Sequence, residues 1–255
     1  MNYFEIENLQ CSYNQRDCVL EIEKLEIPRG KVVFIVGESG CGKSTILETL
    51  GLMNNTLYNP EHKAKFMFMP DEETSIDCLQ IWKGKSRKLS DIRKRYFSFI
   101  FQQTNLMKNF NIWENANLPR LIKALPPSRT YPEILEQVGL KQICDKHNVS
   151  ELSGGQQQRL AFVRAFMPEF SILFGDEPTG NLDPANADKL MRLIATEIHK
   201  SDSKTAIIVS HTPELYKRYA DVIITIQKQT HANGFFYGYI DASSVTINHP
   251  DYLKE

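Results

Sequence analysis

Lys43 and Ser44 close the segment Gly37-Glu38-Ser39-Gly40-Cys41-Gly42-Lys43-Ser44-Thr45, which fits the pattern glycine, four residues, glycine, lysine, hydroxyl residue. Glycines let a loop turn so that its backbone N–H groups converge on phosphate oxygens, and a helix starting there adds a favourable dipole. In that setting the Lys43 ammonium reaches the β and γ phosphates of a nucleotide, and the Ser44 hydroxyl ligates Mg2+. An ordinary glycine turn carries the same glycines, so the context decides. Here an apolar run, Val32 to Val36, leads into the loop and a helical pattern follows from Lys43. Cys41 lies inside the loop beside Lys43, a setting that predicts a lowered thiol pKa and a reactive cysteine; a small buried filler is the alternative.

Asp176 and Glu177 end a second apolar run that starts at Ile172. Neighbouring strand residues point in different directions, so Asp176 can address the Mg2+ shell while Glu177 faces an attacking water. An acidic pair at a strand end is ordinarily a solvated cap, and the phosphate loop upstream is what favours chemistry. Leu152-Ser153-Gly154-Gly155-Gln156 precedes a helical segment reaching Met167. Its glycines permit close approach, Ser153 offers a hydroxyl and the helix start is electropositive, which together describe a second phosphate-binding surface. Alone, it would read as a flexible loop before a helix.

These groups need elements to position them. Short strands at 31–37, 171–175 and 205–210, with helical patterns between, imply a parallel sheet. The opening segment alternates as antiparallel strands around a turn at Ser12 to Asp17. Residues 103–152 read as an inserted helical region broken by Pro119, Pro126 and Pro127. Between 54 and 95 an acidic patch (Asp71, Glu72, Glu73, Asp77) precedes a basic one (Lys83, Lys85, Arg87, Lys88, Arg93, Lys94, Arg95), which reads as a strand pair and a solvated amphipathic helix, with a special ligand surface as the alternative. His231, Phe235, Phe236 and Tyr237 look like strand material around a turn at Gly234.

A chain of 255 residues with 42% hydrophobic content suffices for one α/β domain and a smaller subdomain. The net charge of −1 gives no global case for nucleic acid. No apolar run approaches the roughly 20 residues of a membrane-spanning helix, and no secretory signal is visible, so a cytoplasmic location is expected. Cys11, Cys18, Cys41, Cys78 and Cys144 are odd in number and lack a C-x-x-C pair, which fits reduced thiols.

The phosphate loop, the Ser153 loop and the Asp176-Glu177 pair, in that order, resemble the ABC ATPase family from about Phe4 to about Ile226. The resemblance implies an α/β P-loop NTPase fold: a RecA-like core with an antiparallel β subdomain (1–102 and 155–226), a helical signature subdomain (103–154), and an extension at 227–255. Ser153 and Gly155, with Gly154 and Gln156, match the signature loop that contacts the γ phosphate of ATP held by the opposite subunit. Gln102 matches the glutamine that senses Mg2+ and the attacking water. Asp183 matches the loop crossing the dimer interface, His211 the switch histidine at the γ phosphate, and Tyr13 the aromatic that stacks on adenine. The implied catalytic set is Glu177, His211, Gln102 and Lys43, with ATP and Mg2+ bound between two copies of the chain.

The resemblance is nearest to the subunits of lipoprotein-release, macrolide-export and cell-division complexes. It implies a separate permease-type membrane subunit, with export or extraction as the task; a signalling complex that moves nothing, and a soluble ATPase acting on DNA or ribosomes, are the alternatives. A groove for the membrane partner is expected over about Leu106 to Leu125, with Asn109, Phe110, Ile112 and Trp113 as anchors. Departures are the stretch 60–95, Thr212 where the subgroup has Asp, and the tail after Ile226.

Overall fold

The computed structural model describes residues 1–14, 16–58, 63–84, 87–123, 125–126, 130–143, 145–231 and 234–250. Lys85, Pro127, Cys144 and the last five residues of the tail lie outside the described residues. In chain order the strands are β1 (Asn2–Cys11), β2 (Leu20–Pro28), β3 (Val32–Val36), β4 (Leu57–Tyr58), β5 (Lys65–Phe68), β6 (Ile76–Asp77), β7 (Phe97–Ile100), β8 (Ile172–Asp176), β9 (Thr205–Val209), β10 (Val222–Thr225), β11 (Gln227–Thr230), β12 (Phe236–Ile240) and β13 (Val245–Ile247). The helices are α1 (Lys43–Leu50), α2 (Cys78–Lys83), α3 (Arg87–Tyr96), α4 (Ile112–Ile122), α5 (Tyr131–Gln137), α6 (Gly154–Phe166), α7 (Pro184–His199) and α8 (Pro213–Tyr219).

One sheet runs β13-β10-β3-β9-β8-β7, parallel except for the β13 edge. Its central strands are buried along nearly their whole length, as continuous Val, Ile and Leu runs require when both faces are covered. This is the α/β P-loop NTPase fold. Every strand of it that precedes a site residue ends at the same edge: β3 before Gly37, β7 before Gln102, β8 at Asp176, β9 before His211. A second sheet, ordered β11-β12-β2-β1-β5-β6 with β4 also on β1, is mostly antiparallel. Phe4 and Phe68 of that sheet meet Phe97 and Phe174 of the first, with centroids 5.1 Å (Phe4–Phe68), 5.2 Å (Phe68–Phe97) and 5.1 Å (Phe97–Phe174) apart. An aromatic chain therefore joins the two sheets within one core.

Residues 65–77 form the expected strand pair, β5 against β6, and α3 buries Leu89 and Ile92 while its charged residues face outward except Arg93, which is half-buried and donates to the Leu52 carbonyl. Asp77 has a further role, accepting from Leu79 N and Gln80 N as the cap of α2. Pro119 does not break its helix. It lies inside α4, where it removes one N–H; the capping box of Asn111 and Glu114, and the packing of Ile112 and Ala116 in one core with Leu160 and Val163 of α6, outweigh that loss.

The tail is woven into both sheets. β12 lies parallel to β2, with Gly238 opposite Leu20, and β13 lies antiparallel to β10. Phe236 and Tyr237 lie in β12 as expected, whereas His231 and Phe235 fall just outside β11 and β12 on either side of Gly234.

Candidate active site

β3 delivers the chain to Gly37, whose added Cβ would sit 2.7 Å from Cys41 Sγ, so no larger residue fits without moving the loop. Gly42, at φ 94°, is the left-handed residue that starts α1. Lys43 Nζ donates to the carbonyls of Gly37 (2.9 Å) and Glu38 (2.7 Å), which lays the ammonium across the loop mouth. Cys41 corrects the reactive-thiol expectation. It is 1% exposed and its thiol pKa is raised, because burial outweighs the Lys43 charge.

The loop opens on a cavity of about 550 Å³ whose walls include Lys43, Ser44, Thr45, Gln102, Asp176, Glu177 and His211. Burial, then the Glu177 and Glu48 carboxylates, push the pKa of Asp176 up, with Lys43 opposing. Ser44 and Asp176 both line this cavity, and the Glu177 and Glu48 charges felt by Asp176 are of the sign that a hard dication offsets, so the pair fits Mg2+. Among the described residues no cluster of three or more His, Cys, Asp or Glu forms a metal cage. Phosphate and water oxygens must therefore complete the shell. Glu48 was not singled out in the sequence, although its position one helical turn after Ser44 puts both on one face.

Glu177 adopts φ 47°, an uncommon conformation for a residue with a side chain, costing on the order of 1 kcal/mol. Its N–H donates to Val209 O and its carbonyl accepts from Gly180 N, both at 3.1 Å. The strained turn swings the carboxylate towards His211, whose Nδ1 donates to Oε1 at 2.7 Å. Thr212, where Asp was anticipated, has its N–H bound to Ser210 Oγ at 3.1 Å and leads into α8.

Several predicted residues are not brought to this cavity. Tyr13 is 56% exposed and stands over the start of α1, its hydroxyl bonded to Thr45 Oγ1 (3.2 Å) and Glu48 Oε2 (3.1 Å). Ser153 is the cap of α6, forming a capping box in which Gln156 N donates to its Oγ (3.3 Å) and its own N–H donates to Gln156 Oε1 (2.8 Å). Gly154 next to it has open space around it, while Gly155 faces Leu182. Asp183 caps α7, accepting from Asn186 N (3.0 Å) and Nδ2 (2.6 Å). Within one chain the Ser153 loop and the phosphate loop thus belong to separate surfaces.

An apolar groove of about 310 Å³ lies between β7 and α4, lined by Phe99, Phe101, Leu118, Pro119 and Ile122, with Lys94 and Lys123 also in its wall. The anticipated anchors lie elsewhere: Ile112 is buried, Trp113 packs on the helical core, and only Phe110 and Asn109 face outward. Arg164 ties the loop after Gln102 down by donating to Thr104 O and Asn105 O, both at 2.7 Å.

The parallel sheet, the glycine loop at a helix start and the carboxylate pair on the next strand but one define a P-loop nucleoside triphosphatase. The ABC transporter family pattern matches residues 20–180. The lipoprotein-releasing system ATP-binding protein LolD of Myxococcus xanthus is 35% identical over 221 residues, spanning 84% of this chain and 92% of that protein. The macrolide export ATP-binding/permease protein MacB of Chlorobium luteolum is 36% identical over 206 residues, 80% of this chain but 28% of its own length. An ATP-binding cassette solved as a dimer in a post-hydrolysis state with ADP and Pi superposes with TM-score 0.70 at 26% identity, covering 87% of this chain and 93% of that one. The chain belongs to the ABC transporter family and is an ABC-type ATPase.

Proposed function

We propose that this chain is the motor subunit of an export or extraction complex, closing head to tail with a second copy on two ATP molecules and driving a separate transmembrane partner. One observation carries the reading: the cavity holds Lys43, Ser44, Asp176, Glu177 and His211 but not the Ser153 loop, which faces outward with open space at Gly154. A second copy can bring that loop over the cavity mouth, where the positive end of α6 meets phosphate.

Hydrolysis is phosphoryl transfer to water, so positioning and charge neutralisation do most of the catalysis. Lys43 neutralises the β and γ phosphates. Glu177, steadied through Oε1 by His211, keeps its other oxygen for the attacking water and takes its proton. Gln102, in the cavity wall, orients that water. Ser44, Asp176 and Gln102 are the residues that would hold Mg2+, which supplies charge stabilisation at the transferring phosphoryl group.

The helical region from 103 to 154 and the core then act as two bodies whose closure is the stroke. The apolar groove beside β7 suits a helix of the membrane subunit, since it adjoins the loop that carries Gln102. Among the described residues no helix is long and apolar enough to cross a membrane. The names of LolD and MacB support lipoprotein release or export as the task, while a methionine import ATP-binding protein of Francisella tularensis, 32% identical over 229 residues, stands for the opposite direction.

ATPase activity per chain, followed down a dilution series beside light scattering, tests the dimer requirement. Activity should fall as the dimer dissociates. Activity that stays constant in a demonstrably monomeric sample would defeat the proposal.

A further inference from the structure

We infer that Gln158 is a positioning residue for Glu177, linking the Ser153 loop to the carboxylate in the same chain; this rests on the reading of Glu177 as the hydrolytic base. Gln158 lies one turn beyond Gly154 on α6 and is fully buried. Its Nε2 donates at 2.8 Å to the carbonyl of Pro178, the residue immediately after Glu177.

That turn needs external support. Glu177 is held at φ 47°, a conformation that persists only where its surroundings over-determine it. Val209 O and Gly180 N fix the Glu177 peptide from β9 and from within the turn. Gln158 adds a side-chain donor from a third element, and it acts on the peptide that follows Pro178, one residue beyond Glu177.

A purely space-filling role would favour an apolar side chain here. The Gln158 Oε1 is buried with no hydrogen-bond partner among the described residues, which is a cost that Met or Leu would not carry. A Cβ added at Gly155, three residues earlier, would lie 3.6 Å from Leu182 and 3.8 Å from the Asn181 carbonyl, so the first turns of α6 run beside both ends of the 177–182 segment. Displacement of the Ser153 end of α6 by a phosphate therefore passes to the Pro178 carbonyl and on to the carboxylate.

Gln158→Met keeps length and volume while deleting both the donor and the unpaired oxygen. We expect kcat to fall roughly 10- to 100-fold, as for a catalytic group displaced by about 1 Å. Affinity for a fluorescent ATP analogue, KM and thermal stability should stay close to wild type. The deciding readout is the cycle with Glu177→Gln: a residue that works through the Glu177 carboxylate adds little further loss once that carboxylate is gone. Gln158→Glu, which keeps the length but sets a carboxyl oxygen against Pro178 O, should repeat the pattern if Gln158→Met folds poorly. Losses that multiply in the double variant, or a single variant with wild-type kcat, would overturn the link alone. Full kcat in Glu177→Gln would bring down the base assignment and the link with it.

Discussion

His211 Nδ1 lies 2.7 Å from Glu177 Oε1, which joins the first residue after β8 to the second residue after β9. The Glu177 side chain is only 13% exposed whereas that of His211 is 71% exposed, so the histidine is the movable member of the pair. Its removal frees a carboxylate that must face one water. His211→Ala should lower kcat by about 100-fold or more while leaving ATP-analogue binding intact, and Glu177→Gln should lower it at least as far. Steady-state ATPase with a parallel binding titration separates the two effects.

Asp176 is held for function at the expense of stability. Its pKa in the folded protein is raised, so the native state binds this proton more tightly than the unfolded chain, and stability is lost as pH rises through the folded pKa. Without Mg·ATP, Asp176→Asn should melt a few degrees above wild type at pH 8, about 2 °C for each kcal/mol relieved in a domain of this size. The gap should close on acidification towards the ordinary carboxylate range. Adding Mg·ATP should stabilise wild type and not the variant.

Gly238 connects the tail to the phosphate loop. A Cβ there would overlap the carbonyl oxygen of Cys41, and Lys228 of the adjoining β11 lies 3.8 Å from Glu38. Gly238→Ala should therefore weaken ATP-analogue binding roughly 5-fold or more, the equivalent of a 1–3 kcal/mol overpacking cost placed on the loop. Circular dichroism should show its secondary structure unchanged.

The groove beside β7 makes a separate prediction. Phe101→Glu and Ile122→Glu place charge on its apolar wall and should abolish capture of the membrane subunit in a pull-down. ATP-driven dimerisation of the same proteins should persist, because neither residue lies in the nucleotide cavity.

The sequence showed the loop, the carboxylate pair and their strands because each is a local pattern: an apolar run followed by turn or acidic residues. What it hid was non-local. Gly238 lies opposite Leu20 through a parallel pairing that no spacing announces, and Gln158 meets Pro178 across two elements. Cys41 went astray because dipole and lysine are readable in sequence and burial is not. Trp113 and Ile112 looked like interface anchors, yet apolar residues on a short helix are equally the helix's own core, and here Ile112 belongs to that core and Trp113 packs against it.

The central claim is that each site is completed by another copy of the chain, and one measurement bears on it most directly. In the Glu177→Gln background, ATP should drive a monomer-to-dimer transition visible by light scattering. Adding Ser153→Arg puts a bulky side chain at the outward-facing cap of α6, remote from Lys43 and Ser44 of its own chain. The double variant should stay monomeric with ATP while binding the fluorescent analogue almost as tightly as its parent. A double variant that still dimerises on ATP, or one that loses monomer affinity as severely as Lys43→Ala, would contradict a site shared between two chains.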